Sequence, residues 1–209
     1  MNWTTKRLLP HRRNDDDSDE PQKIISIEKS SHDNSVVGNK IYFYQDVSRD
    51  TILTLNRQID EVSRQLKNIQ FVYNLPEPPP IEIHFCSDGG DVFAAMATVD
   101  KIINSQIPVH TYCEGIVASA ATVMSVAGKK RFITKNSCML IHQVSSALWG
   151  NYMEFKDEIK NLELIMSLIR GVYLKHTKYN DKELDDILGH DLCLHAEDCL
   201  KWGLVDAIE

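Results

Sequence analysis

No apolar run in these 209 residues approaches the roughly 18 that a membrane-spanning helix requires, so the sequence offers no anchor in lipid. The first 20 residues carry Lys6, Arg7, Arg12 and Arg13 but lack the apolar stretch that a secretory signal sets ahead of its cleavage site. Secretion is therefore not expected. A basic stripe interleaved with aromatics is missing too. The 23 Lys and Arg stand against 30 Asp and Glu, the formal charge is -7, and nothing presents an electrostatic footprint for nucleic acid. Cysteines are few and odd in number: Cys86, Cys113, Cys138, Cys193 and Cys199 contain no CxxC pair. That argues against a disulfide framework and for a reducing compartment. The cluster His190, Cys193, His195 and Cys199 lacks the ligand spacing of zinc modules, so no metal is expected and these cysteines read as structural. The expected location is cytoplasmic, an organelle matrix or stroma being the alternative.

What is present is an ordinary globular composition, 43% hydrophobic and 25% charged, in a length that suits one domain with a full core. Residues 1–37 are polar, with the acidic run Asp15 to Asp17, Asp19 and Glu20 behind the basic start. They read as a flexible arm, a propeptide or an axial-pore segment, in which Ile24, Ile25 and Ile27 form a short strand when a surface is supplied. The folded domain is expected over 38–209. A strand is predicted from Lys40 to Tyr44. A helix capped by Ser48 or Asp50 follows, burying Ile52, Leu55, Ile59, Val62, Leu66 and Ile69. After the Pro-rich segment Leu75 to Pro80 comes an alternating strand, Ile81, Ile83 and Phe85, that ends at a glycine pair. The next helix turns Val92, Ala95, Met96, Val99 and Ile103 inward.

Pro108 opens a strand from Val109 to Tyr112, Gly115 marks its turn, and Ser119 starts a small-residue helix that stops near Gly128. Strands are expected at Arg131 to Thr134 and Cys138 to Ile141. A long amphipathic helix then presents Tyr152, Phe155, Ile159, Leu162, Ile165, Ile169, Val172 and His176 on one face. Short helices at Asp181 to Leu188 and Ala196 to Trp202, with Gly203 closing the second, precede a last strand from Leu204 to Ile208. This recurrent alternation predicts an α/β fold of stacked βαβ units around a largely parallel sheet.

The chemistry concentrates between Cys86 and His142. A serine hydroxyl needs a base to take its proton and N–H groups to hold the developing oxyanion. Ser119 follows a strand and opens a helix whose first N–H groups are unpaired. Its small neighbours Ala118, Ala120 and Ala121 let a carbonyl approach the main chain. Standing alone, such a serine is more often a helix N-cap. Gly89 and Gly90 lie between strand and helix, where an N–H can face the same cleft and a side chain would obstruct it. His142 ends the apolar run Cys138 to Ile141, so its imidazole emerges at a strand end. His84 and His110 read as packing residues. The surroundings of Ser119 are not a G-x-S-x-G elbow, because Val117 and Ala121 occupy the glycine positions.

Five pieces together resemble the proteolytic subunit of the Clp protease. They are Ser87-Asp88-Gly89-Gly90-Asp91-Val92, the stretch Gly115 to Ala121, Lys130-Arg131-Phe132 with Asn136-Ser137, Met139 to Gln143, and Gly203-Leu204-Val205-Asp206. The resemblance runs from about Lys40 to the C-terminus and implies the fold shared by that subunit and the crotonases. It assigns Ser119 as nucleophile, His142 as general base, Asp191 as the acid that orients the histidine, and the Gly90 and Ala120 N–H groups as the oxyanion hole. From the residues alone Asp191 is not separable from Asp185, Asp186 or Asp198.

The resemblance further implies an ATP-dependent serine endopeptidase needing no metal or organic cofactor, since the ATP is used by a partner. It implies two stacked seven-membered rings of this chain or of sister subunits, the long helix lying between the rings. A hexameric unfoldase would deliver unfolded polypeptides, and Tyr112 and Phe132 are candidates for its docking pocket. The alternatives are a noncatalytic subunit of a mixed barrel and a crotonase-type acyl-CoA enzyme. The chain departs from the family pattern after Gln143, where Val144-Ser145-Ser146-Ala147-Leu148-Trp149-Gly150 stands in place of a proline and a glycine pair. Cleavage preference and ring register are expected to differ accordingly.

Overall fold

Alternation of apolar residues along short strands, and their recurrence every three or four residues along helices, builds a sheet buried on one face by helices. The computed structural model describes residues 35–209, so the expected arm up to residue 34, with Ile24, Ile25 and Ile27, lies outside the described residues. The elements run β1 (Ser35–Val37), β2 (Lys40–Phe43), α1 (Arg49–Val72), β3 (Ile81–Ser87), α2 (Val92–Ile103), β4 (Val109–Ala118) and α3 (Ala120–Ser125). They continue with β5 (Lys130–Ile133), β6 (Cys138–Leu140), α4 (Tyr152–His176), α5 (Asp181–Leu188), β7 (Cys193–His195), α6 (Ala196–Lys201) and β8 (Ala207–Ile208). The sheet order is β1-β2-β3-β4-β5-β8, with β6 paired to β4 and β7 to β6. Pairing is parallel except for β1 with β2 and β6 with β7. This is the expected α/β architecture, a largely parallel sheet with helical crossovers.

Local chemistry explains the element ends. Ser48 caps α1 by accepting from the Thr51 N–H, and the Thr51 hydroxyl answers the Ser48 N–H, a reciprocal capping box. Ile52, Leu55, Ile59, Val62 and Leu66 are buried as the period requires, but Ile69 is exposed, as are Phe71, Val72 and Tyr73 after it. On α2 the inward positions are Ala94, Ala95, Thr98, Val99 and Ile102, so Ile103, expected inside, faces out. One sheet face carries Ile41, Phe43, Ile83, Phe85, Cys113 and Ile133 into the core. The other carries an in-register row of rings, Tyr42, His84, Tyr112 and Phe132, one from each of β2 to β5, each stacked on the next.

Four features differ from the sequence expectation. Ser35–Val37, inside the stretch assigned to the arm, is a strand paired antiparallel to β2. β7 is a further strand with no apolar alternation to announce it. Gly115 does not end its strand: β4 continues through it with φ +62. At that bend β4 changes partners, pairing with β5 over His110 to Cys113 and with β6 over Ile116 to Ala118. A glycine inside a strand marks such an irregularity. Finally, Leu204 and Val205 are buried in the turn before β8, which is only Ala207–Ile208.

Helix α4 begins with Asn151 in a capping box with Glu154. Only Ile169 and Tyr173 on it are buried, while Tyr152, Phe155 and Ile159 are exposed. The amphipathic pattern is therefore satisfied toward the C-terminal end, where α4 meets α3 and α5, and the N-terminal part of the face is left open. Among the described residues no helix is long and apolar enough to cross a membrane.

Candidate active site

Three parallel strands deliver the candidate residues at their C-terminal ends, the edge at which open α/β sheets carry their ligands. β3 leads into Gly89 and Gly90, β4 into Ser119, and β6, by way of Ile141, into His142. Ser87 pairs with Val117 and Ala118 with Leu140, so these ends lie side by side.

Ser119 has φ 54 and ψ -127. Such a conformation costs a non-glycine residue on the order of 1–3 kcal/mol. Its side chain makes no capping bond to α3, so the helix-cap reading does not describe it and the hydroxyl is left to other partners. The backbone is held instead: the Ser119 N–H donates to Leu140 O at 2.8 Å and its carbonyl accepts from the Thr122 N–H at 3.0 Å. Ala120 follows as the first residue of α3, where the helix leaves N–H groups unbonded.

The glycine pair is fixed against this turn. Gly89 has φ +95, and a Cβ there would lie 2.6 Å from Ser119 Cβ and 2.7 Å from Ala118 O. Gly90 has φ +145, and a Cβ would run into the Val47 carbonyl. Val47 grips the pair from the other side, donating to Gly89 O and accepting from the Asp91 N–H, both at 2.8 Å. The Gly89 N–H donates to Ser87 Oγ at 3.1 Å, whereas the Gly90 N–H has no acceptor among the described residues.

His142 Nδ1 lies 3.8 Å from Asp191 Oδ1. The strand register explains the encounter. β6 and β7 run antiparallel with Leu140 opposite Cys193. Extending that register two residues outward sets His142 opposite Asp191 and on the same face. Asp185, by contrast, is held by Arg170, and Asp198 lies on α6. The separation exceeds hydrogen-bond range, and Asp191 is 83% exposed against 24% for His142. Ser119, Ala120 and His142 line one small pocket of about 20 Å³ with Val92, Val123, Ile169 and Tyr173. With Nδ1 turned toward Asp191, Nε2 is the imidazole atom left for a serine proton.

Val47, Thr122 and Tyr173 also build the site and carry no signal in the sequence, since a valine in a loop, a threonine in a small-residue helix and a tyrosine on an amphipathic face are all ordinary. Burial pushes the Tyr173 phenol well above its usual value and keeps it protonated.

A model of the Clp protease family matches residues 36–209, nearly all that the structure describes. The chain belongs to the Clp protease family. Similar members include the ATP-dependent Clp protease proteolytic subunit 2 of Treponema denticola, 31% identical over 156 residues, which cover 74% of this chain and 77% of that protein. The ATP-dependent Clp protease proteolytic subunit of Deinococcus radiodurans is 30% identical over 130 residues, covering 61% of this chain and 64% of that protein. Family membership makes the chain a Clp-type peptidase.

Proposed function

We propose that Ser119, His142 and Asp191 form the catalytic triad of this Clp-type serine endopeptidase, with the Gly90 and Ala120 N–H groups as its oxyanion hole. The observation that carries the reading is Ser119 itself, held in a costly conformation with its hydroxyl unclaimed by the helix, in one pocket with a histidine whose far nitrogen faces a carboxylate. In the reaction Ser119 Oγ attacks the peptide carbonyl while His142 Nε2 takes its proton. The carbonyl oxygen, now negative, is met by the two main-chain donors. Collapse breaks the C–N bond, and His142 returns the proton to the leaving amine. Water then repeats the sequence on the acyl-serine and restores the hydroxyl. Asp191 closes on the imidazole by about 1 Å to reach hydrogen-bond range when substrate and neighbours order the site. The relay needs no metal or organic cofactor.

The same reading includes assembly. Oligomerisation and an ATP-driven partner accord with the family and with the two relatives' description as ATP-dependent. The open apolar face of α4, where Tyr152 is 70% and Ile159 is 56% exposed, supports contact between two stacked seven-membered rings. The half-exposed rings Tyr42, Tyr112 and Phe132, stacked in a row with the buried His84, support docking of a hexameric unfoldase that feeds in unfolded polypeptide. Five free cysteines accord with a reducing, cytoplasmic setting.

The test is Ser119→Ala in the full chain. Peptide cleavage is expected to fall by at least about a thousandfold and labelling by a fluorophosphonate to vanish, with native mass unchanged. Cleavage at the wild-type rate would exclude Ser119 as the nucleophile.

A further inference from the structure

The carbonyl of Ser119 ends a line of buried hydroxyls that begins on a different helix. Thr122 Oγ1 lies 2.6 Å from Ser119 O, and Tyr173 Oη lies 2.6 Å from Thr122 Oγ1. Thr122 is 0% and Tyr173 1% exposed, so solvent cannot substitute for either partner. Proton counting fixes the direction of both bonds. A carbonyl only accepts, so the single hydroxyl proton of Thr122 goes to Ser119, and the proton between Thr122 and Tyr173 must come from Tyr173. The line therefore reads Tyr173 O–H to Thr122 O–H to Ser119 C=O. A phenylalanine at 173 would fill the same space without a buried hydroxyl, and a valine at 122 would do likewise. Shape alone calls for neither hydroxyl, and replacing both partners by apolar groups of the same shape can be nearly neutral for stability.

We propose that Tyr173 is a positioning residue for the nucleophile, acting through Thr122 on the Ser119 carbonyl to hold the serine backbone at its positive φ. The proposal rests on Ser119 being the nucleophile. With the amide fixed to Leu140 O and the carbonyl fixed by Thr122, both peptide planes flanking Ser119 are set, and with them the direction of the Cα–Cβ bond that carries the hydroxyl. Loss of the Tyr173 hydroxyl leaves the Thr122 oxygen without its donor, so Thr122 is no longer held or polarised from behind and its bond to the carbonyl weakens. The carbonyl then relies more on the Thr122 N–H, and the turn can relax toward ordinary backbone angles. Small displacements of a nucleophile lower the rate of bond formation much more than they weaken binding. Tyr173 also lines the pocket, and Tyr173→Phe keeps the aromatic ring there, which separates positioning from substrate contact.

The experiment compares Tyr173→Phe, Thr122→Val and their combination with wild type in the assembled particle. The readouts are kcat and KM for a small peptide and the second-order rate of fluorophosphonate labelling. Each single variant is expected to lower kcat and the labelling rate about tenfold or more, with KM changed less than about twofold. The double variant should lose no more than the worse single one, because both interrupt one line. Thr122→Ser, which keeps the hydroxyl, should retain most of the rate. Wild-type labelling in Tyr173→Phe, or a rise in KM with kcat unchanged, overturns the proposal while Ser119→Ala still abolishes cleavage. Wild-type cleavage in Ser119→Ala instead overturns the nucleophile assignment beneath it. Should Tyr173→Phe fail to assemble, the Thr122 pair decides: a loss in Thr122→Val with retention in Thr122→Ser supports the line, and equal rates in the two overturn it.

Discussion

Gly89 shows how closely single residues are constrained around the nucleophile. Its φ of +95 and the 2.6 Å that would separate an added Cβ from Ser119 Cβ leave no room for a side chain. Gly89→Ala is expected to destabilise the fold by about 1–3 kcal/mol and to cut fluorophosphonate labelling at least about a hundredfold. A thermal melt beside the labelling assay checks both, and a variant labelled at the wild-type rate would show that the two turns do not support each other. Ser119 and His142 are legible in the sequence because a strand end followed by small residues, and an apolar run ended by histidine, are both local patterns. Asp191 is not legible locally. Three other aspartates compete for its place, and what separates them is the antiparallel register of β6 and β7, a long-range property. Thr122 and Tyr173 are hidden for the same reason, since the two hydroxyls that meet lie 51 positions apart in the chain.

At the scale of elements, two of the motif pieces meet through one ion pair. Arg131 on β5 bonds Asp206 through Nε at 3.1 Å and also donates to the carbonyls of Gly203 and His176, tying β5 to the end of α4 and to the turn before β8. Burial alone would raise the Asp206 carboxyl, but its hydrogen bonds with Arg131 and the guanidinium charge more than reverse this and hold it below the usual carboxylate value. A carboxyl lowered in the folded state stabilises that state above the unfolded value near about 3.9, and the benefit fades as pH falls through the folded value. Asp206→Asn is thus expected to lower the melting temperature at pH 7 by a few degrees, about 1 kcal/mol for a partly exposed pair, with the gap closing as the melt is moved below about pH 4. A gap constant with pH would assign the loss to packing. Periodicity located most helices within a residue or two because a buried stripe repeats within each of them. It missed β1 and β7, whose residues are largely exposed, and it misjudged Gly115, where the strand bends to serve two neighbours rather than stopping.

For the whole molecule, one open apolar surface among the described residues is the N-terminal part of α4. Replacing Phe155 and Ile159 by aspartate places charge on the open face without touching Ile169 or Tyr173. The expected outcome of this double substitution is a drop in native mass to smaller species with loss of peptide cleavage, while the circular dichroism of the subunit is retained. An intact particle would show that this face is not an interface. The amphipathic stripe of α4 is plain in the sequence, but what covers it is not, because periodicity records the need for a partner and not the partner's identity. At 1.5 Å per residue the 25 residues of α4 make a rod about 37 Å long. Tyr173 sits near the end that is clamped by its own subunit, and the free end lies where a neighbour would grasp it. A neighbour holding that end would bear on a lever whose other end lies in the pocket of the nucleophile.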